Sequence, residues 1–270
     1  MRTSVSLGLL AFCATLAATP SAVLAQTPAQ PAVPAGVPLD EAYRAEFTRC
    51  DSVDRFGPVQ FPIRKTNGKV AWYGCKTDPS RLTRLERIAP QGDRPAAILW
   101  ESKLAHDLDG SPKACNTPGL TDQCATTLML KPSVRQPCPA AIPRSSHCLP
   151  VDASRIPYIV MPIAAPRGID ATAFRTKTGL AFGDLGMVLA NGKQVPVIIA
   201  DGGPAYKIGE GSTALLAALS DDGKPRTRAG RVVFIAFPGT SPGRDVDADA
   251  LAEIIRQRAG DLFAKLTASP

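Results

Sequence analysis

At 270 residues the chain is long enough to bury a sizeable core, and that length suits one elaborated domain. Lys and Arg outnumber Asp and Glu by 31 to 24, a formal charge of +7, yet the cations are scattered in short groups such as "RLTRLER" and "KPRTRAGR" with no interleaved aromatics, which argues against a nucleic-acid surface. No C-x-x-C occurs and only two histidines, His106 and His147, are present, so a zinc site is a poor reading as well.

The chain opens with an early cation, Arg2, an apolar run, and small residues around Val23 and Ala25. That is the layout of a secretory signal over residues 1–25, and Thr19, Pro20 and Ser21 break the run before it could span a bilayer. Loss of the signal would leave a soluble, exported chain of charge +6, from 30 Lys and Arg minus 24 Asp and Glu. It would also remove Cys13 and leave six cysteines: Cys50, Cys75, Cys115, Cys124, Cys138 and Cys148. An even set fits three disulfides in an oxidising compartment; sequential pairing is the simplest choice among about 15 connectivities. Residues 26–38, "QTPAQPAVPAGVP", read as a flexible linker, with a single catalytic domain expected over 39–270.

The first predicted element is a short helix in "LDEAYRAEFTRC", where Leu39, Ala42, Tyr43, Phe47 and Cys50 recur at helical spacing. The stretch up to Arg94 carries no clear signal. From Ala96 onward, short apolar runs separated by turn residues predict strands: "AAILWES", "PYIVMPI", "GMVLANGKQVPVIIAD" and "RVVFIAFPG". Asn191-Gly192 in the third run is a hairpin turn that would deliver Asp201 at the exit of its second strand. Between Asp109 and Val151 the Pro- and Cys-rich sequence predicts a disulfide-tied loop region. Ser212 is a candidate N-cap for a helix in "TALLAAL". An amphipathic C-terminal helix, residues 248–267, would pack Leu251, Ile254, Ile255, Ala259, Leu262, Phe263 and Leu266 on the core. No internal repeat is visible.

Two motifs are decoys. "GTSPG", Gly239 to Gly243, fits the serine-hydrolase pattern, but the residue that should donate an oxyanion-hole N–H is Pro242, which has none. "DLDGSP", Asp107 to Pro112, resembles the opening of a calcium loop but lacks its later acids, and Asp-Gly-Ser-Pro is a good turn. More informative is "ADGGPAYKIGEGS", in which Asp201 and Glu210 bracket Gly202, Gly203, Pro204 and Gly209. A compact turn can present both acids to one cleft, as glycoside hydrolysis requires; otherwise Glu210 is a surface acid before a helix N-terminus.

The segments "AAILWESKLAHDLDGSPKA", "VDASRIPYIVMP", "FGDLGMVLANGK", "ADGGPAYKIGEGSTALLAAL" and "VVFIAFPGT" resemble, in this order, the fungal-type chitosanases of glycoside hydrolase family 75. The likeness runs from about residue 96 to 240. It implies a secreted endo-chitosanase that cleaves β-1,4 links between glucosamine residues with inversion. Glu210 would be general acid and Asp201 general base, their carboxyl groups about 6.5–9.5 Å apart. Asp107 and Asp109, with Asp184 in a lesser part, would floor the sugar cleft and hold ammonium groups. Trp100, Tyr158 and Tyr206 are candidate stacking platforms. No cofactor or metal is implied, the partner is the polysaccharide itself, and a monomer is expected. Together with the short strands, the resemblance implies a mainly β fold: a compact β-barrel core of the double-psi type with flanking helices.

His106 departs from the family's aliphatic residue at that position, and Cys115 and Cys124 add a pair to the following loop. The basic net charge is unfavourable for attracting a polycation. Two rivals follow: a peptidoglycan-cleaving muramidase or lytic transglycosylase, and a non-catalytic carbohydrate-binding envelope protein.

Overall fold

The computed structural model describes residues 32–48, 60–64, 70–74, 80–116, 124–130, 149–164, 172–204 and 207–268. The expected signal and residues 26–31 of the linker lie outside the described residues, as do Cys50, Cys75, Cys138, Cys148 and Tyr206. In chain order the elements are β1 (Val37–Pro38), α1 (Glu41–Thr48), β2 (Gln60–Arg64), β3 (Val70–Gly74), β4 (Arg84–Ile88), β5 (Ala97–Asp107), α2 (Pro112–Asn116), β6 (Met129–Leu130) and β7 (Leu149–Pro150). Then come β8 (Tyr158–Ala164), α3 (Ala173–Thr178), β9 (Leu185–Ala190), β10 (Lys193–Pro204), β11 (Glu210–Ser212), α4 (Thr213–Ala218), β12 (Arg228–Phe237), α5 (Ala248–Ile254), a π-helical turn (Ile255–Ala259) and α6 (Gly260–Thr267). None of the described helices is long and apolar enough to cross a membrane.

The fold is mainly β, with a closed six-stranded barrel at its centre. Its strands follow the order β5-β11-β8-β10-β9-β12, and β12 pairs back onto β5 to close the ring. β4 and β1 extend the sheet beyond β5, so β1 falls inside the stretch expected to be a linker. The Asn191-Gly192 turn forms between β9 and β10 with φ of 52° and 74°, the positive values that a two-residue hairpin turn demands of both residues.

An internal repeat, invisible in the residues, is present in the topology. Exchanging β5 with β10, β8 with β11 and β9 with β12 maps the set of barrel pairings onto itself with the sense of each preserved. The parallel β5–β11 ladder becomes the parallel β8–β10 ladder, and antiparallel β5–β12 becomes antiparallel β9–β10. The β8–β11 and β9–β12 pairs map onto themselves, and α3 takes the place of α4. Two crossed parallel ladders of this kind fit the double-psi type.

Strand residues alternate between two buried sides. One set, including Ile98, Trp100, Leu104, Ile159, Val188, Val197, Ile199 and Phe234, forms a continuous core with Phe47 of α1, Phe174 of α3 and Leu215 of α4. The other set packs against Leu251, Ile255, Ala259, Phe263 and Leu266 of the C-terminal helix. Four-residue spacing drifts about 40° per step around an ordinary α-helix. The π turn at Ile255–Ala259 takes up part of that drift and keeps the buried stripe on the barrel.

Candidate active site

The end of β10 supplies the first acid. Asp201 is 5% exposed, and its Oδ1 accepts hydrogen bonds from both the N–H and the hydroxyl of Thr127, each at 2.8 Å. A register shift between Ile199 and Asp201 places Asp201 opposite Val160. On the other half of the barrel, Asp107 stands opposite Ser212. Gly211 pairs with Ile159 where β8 meets β11, so the two-fold relation carries Ser212 onto Val160 and Asp107 onto Asp201. The two acids are therefore topological equivalents, brought together across the pseudo-axis.

Carboxylate oxygens of Asp107, Asp109 and Asp201 all lie within 4.8 Å of one another. Asp107 Oδ1 accepts the backbone N–H of Asp109 at 3.0 Å, and Gly110 closes the turn at φ 76°. A Cβ on Gly110 would come within 2.4 Å of the Val151 carbonyl, so only glycine fits. The "DLDGSP" stretch is thus a turn whose Ser111 hydroxyl accepts the Ala114 N–H. Beneath the acids, the Tyr158 hydroxyl donates to the Asp109 carbonyl at 3.0 Å. Burial first, then the charges of Asp107, Asp201 and Asp109, push the Tyr158 pKa up and keep it a neutral donor.

Glu210 arrives from β11, which the sequence alone presented as loop. Gly209 has φ 90°, and the Gly211 position has Tyr158 O 2.9 Å from where a Cβ would sit. The half-buried Glu210 is thereby the one side chain in Gly-Glu-Gly. Ser212 is buried and accepts both the Leu215 N–H, as N-cap of α4, and the Tyr158 N–H, while donating to the Ile156 carbonyl at 2.8 Å. One hydroxyl so fastens β11 to the start of β8. The Glu210 carboxylate lies over β10: its Oε2 is 3.0 Å from where a Cβ on Gly203 would stand. Gly203 is two residues beyond Asp201, a step of roughly 6.5 Å along a strand. Asp201, Asp107, Asp109 and Glu210 therefore share one end of the barrel.

The other expected contacts need correction. Trp100 is 2% exposed, stacked on Phe234 with centroids 5.0 Å apart and edge-on to Phe174, so it is a core ring rather than a sugar platform. Tyr158 is fully buried and reaches the acids through its hydroxyl only, which rules out stacking by its ring face. Asp184 is 1% exposed and belongs to a different loop junction: its carboxylate accepts the N–H groups of Ala181 and Thr240. "GTSPG" is the other half of that junction. Its Thr240 N–H meets Asp184, its Thr240 hydroxyl accepts the Leu185 N–H, and Ser241 occupies the space a Cβ on Gly183 would need. His106 is exposed with Nε2 2.7 Å from the Thr213 hydroxyl. Cys124 is disulfide-bonded, and the side chains of the other five expected cysteines are not among those described.

Burial raises the Asp184 pKa above its ordinary value of 3.8, against the pull of backbone N–H groups from Ala181, Thr240, Gly239 and Ser241. The native state therefore holds this proton to a higher pH than the unfolded chain does. Its contribution to stability is greatest below about pH 3.8 and falls as pH rises through the native pKa. Thermal unfolding of wild type and Asp184→Asn from roughly pH 3 to pH 7 should show the wild-type advantage shrinking with rising pH. An advantage that grows would contradict this assignment.

Thr127 and Ser212 were missed as site-forming residues. Thr127 sits in a Cys/Pro-rich stretch without periodicity, and nothing in its neighbours announces an approach to Asp201. No family model matches the chain, and no curated protein matches it.

Proposed function

We propose that the protein is a secreted glycoside hydrolase that cleaves β-1,4-linked glucosamine chains by an inverting two-carboxylate mechanism. The observation that carries this reading is the meeting of Asp201, Asp107 and Asp109 within 4.8 Å at the barrel end that also receives the Glu210 carboxylate. The resemblance to family 75 chitosanases assigns the same Asp201 and Glu210 as the working pair. Glu210 protonates the glycosidic oxygen as the C1–O bond breaks. A water on the opposite face gives its proton to Asp201 and bonds C1, so the anomeric configuration inverts. Exchange with solvent restores both groups. Asp107 and Asp109 would hold substrate ammonium groups by charge-assisted hydrogen bonds, which meets the objection of net charge locally, since remote charges are screened.

The basic balance of the exported chain, +6 from 30 Lys and Arg minus 24 Asp and Glu, favours a second substrate, anionic peptidoglycan, on the same site. The test is reducing-end release from highly deacetylated chitosan and from peptidoglycan, by wild type and by Asp201→Asn. Chitosan cleavage that disappears in the variant is expected. Peptidoglycan lysis that survives it would mean a single-acid transglycosylase, and binding without turnover on every amino-glycan would mean a carbohydrate-binding protein.

A further inference from the structure

We infer that Thr127 is the positioning residue of the acid–base machinery, orienting Asp201 through two hydrogen bonds to one carboxylate oxygen; this rests on Asp201 being the general base. The N–H and hydroxyl of Thr127 both reach Oδ1 at 2.8 Å. Two donors on one oxygen favour the anion and set the rotation of the carboxylate, leaving Oδ2 outside the clamp. A base held in this way presents one oxygen to the attacking water.

The clamp is itself anchored on both sides. The Thr126 hydroxyl donates to the Leu128 carbonyl and accepts the Val151 N–H, and Leu128 N–H donates to the Ala200 carbonyl at 2.8 Å, next to Asp201 in β10. Cys124, three residues before Thr127, is disulfide-bonded. Gly202 leaves room for the arrangement, since its Cβ would lie 3.1 Å from the Thr127 hydroxyl and 2.6 Å from Ile163. Thr127 is exposed while both neighbours are tied down, so its side chain is not needed to bury the segment.

The titratable groups gathered around Asp201, among the described residues, are Asp107 of β5, Asp109 of the turn after it, Tyr158 of β8 and Glu210 of β11. Three are acids that oppose ionisation of Asp201 if charged, and Tyr158 is a neutral phenol. The pair of donors from Thr127 presents to Asp201 a partial charge opposite in sign to these acids.

The test compares Thr127→Val, which keeps the shape and the N–H but loses the hydroxyl, with Thr127→Ser, which restores it. The Asp201 carboxyl is followed by carbon-13 NMR titration, its signal assigned by its absence in Asp201→Asn. Asp201 is expected to titrate about one pH unit higher in Thr127→Val and at the wild-type position in Thr127→Ser. The acid limb of kcat on chitosan should move by the same amount with little change in KM. An Asp201 titration that is unaltered in Thr127→Val, or altered equally in Thr127→Ser, would overturn the role. Because the NMR titration needs no turnover, it reports on Thr127 even if Asp201→Asn stays active, an outcome that would instead remove Asp201 as the base.

Discussion

Glu210→Gln is expected to lower reducing-end release from deacetylated chitosan by about a hundredfold to ten-thousandfold, the usual weight of a general acid, with the urea unfolding midpoint unchanged. The two halves of that expectation come from different features. Activity falls because an amide of the same shape has no proton to give the leaving oxygen. Stability stays because Glu210 is half-buried at the barrel rim, and the burial at this point is provided by Gly209, Gly211 and Ser212 around it. Chitosan cleavage at the wild-type rate would remove Glu210 from the chemistry. A large drop in the unfolding midpoint would show that its carboxylate, lying over Gly203, supports the fold.

The largest stability effect is expected at Gly209. With φ 90° it occupies backbone space that other residues enter only under strain, and a Cβ there would come within 2.3 Å of the Lys103 carbonyl and 2.4 Å of the Ser102 hydroxyl. Its own carbonyl accepts the Ala105 N–H at 2.8 Å, the first rung that binds β11 to β5. Neither chain can retreat without opening that ladder. Gly209→Ala should therefore cost about 3 kcal/mol or more in urea unfolding, and should lower activity by displacing Glu210. Gly223→Ala is the comparison: φ is 68° but nothing lies within 4 Å of the added Cβ, so only backbone strain of about 1 kcal/mol is expected. Equal losses at the two positions would mean that the contact with Lys103 and Ser102 relaxes freely.

The resemblance gathered Asp107, Asp109, Asp201 and Glu210 into one site from segments almost a hundred residues apart; the role it assigns them awaits these experiments. It placed Trp100 and Asp184 there too, and these went elsewhere for a common reason, while Tyr158 stayed at the site by its hydroxyl alone and not as a stacking ring. An aromatic ring or an acid in a motif looks the same in sequence whether it faces solvent or the interior. In the fold, Trp100 found Phe174 and Phe234, and the Asp184 carboxylate found backbone N–H groups, those of Ala181 and Thr240 among them.

What the sequence by itself determined is local: the apolar runs of β5, β8, β9, β10 and β12, the Asn191-Gly192 hairpin, the Ser212 cap, and a C-terminal stripe with Leu251, Ile255, Ala259, Phe263 and Leu266 turned inward. Each depends on neighbours within a few residues, so periodicity and turn chemistry suffice. The strand character of Glu210–Ser212, the two-fold repeat and the Thr127 clamp were decided only by tertiary structure. A three-residue strand has no periodicity to read, and it is held by parallel ladders to a segment about a hundred residues earlier. The repeat lies in which strands pair rather than in which residues they carry, and it makes Asp107 the two-fold counterpart of Asp201 because backbone hydrogen bonding is blind to side-chain identity.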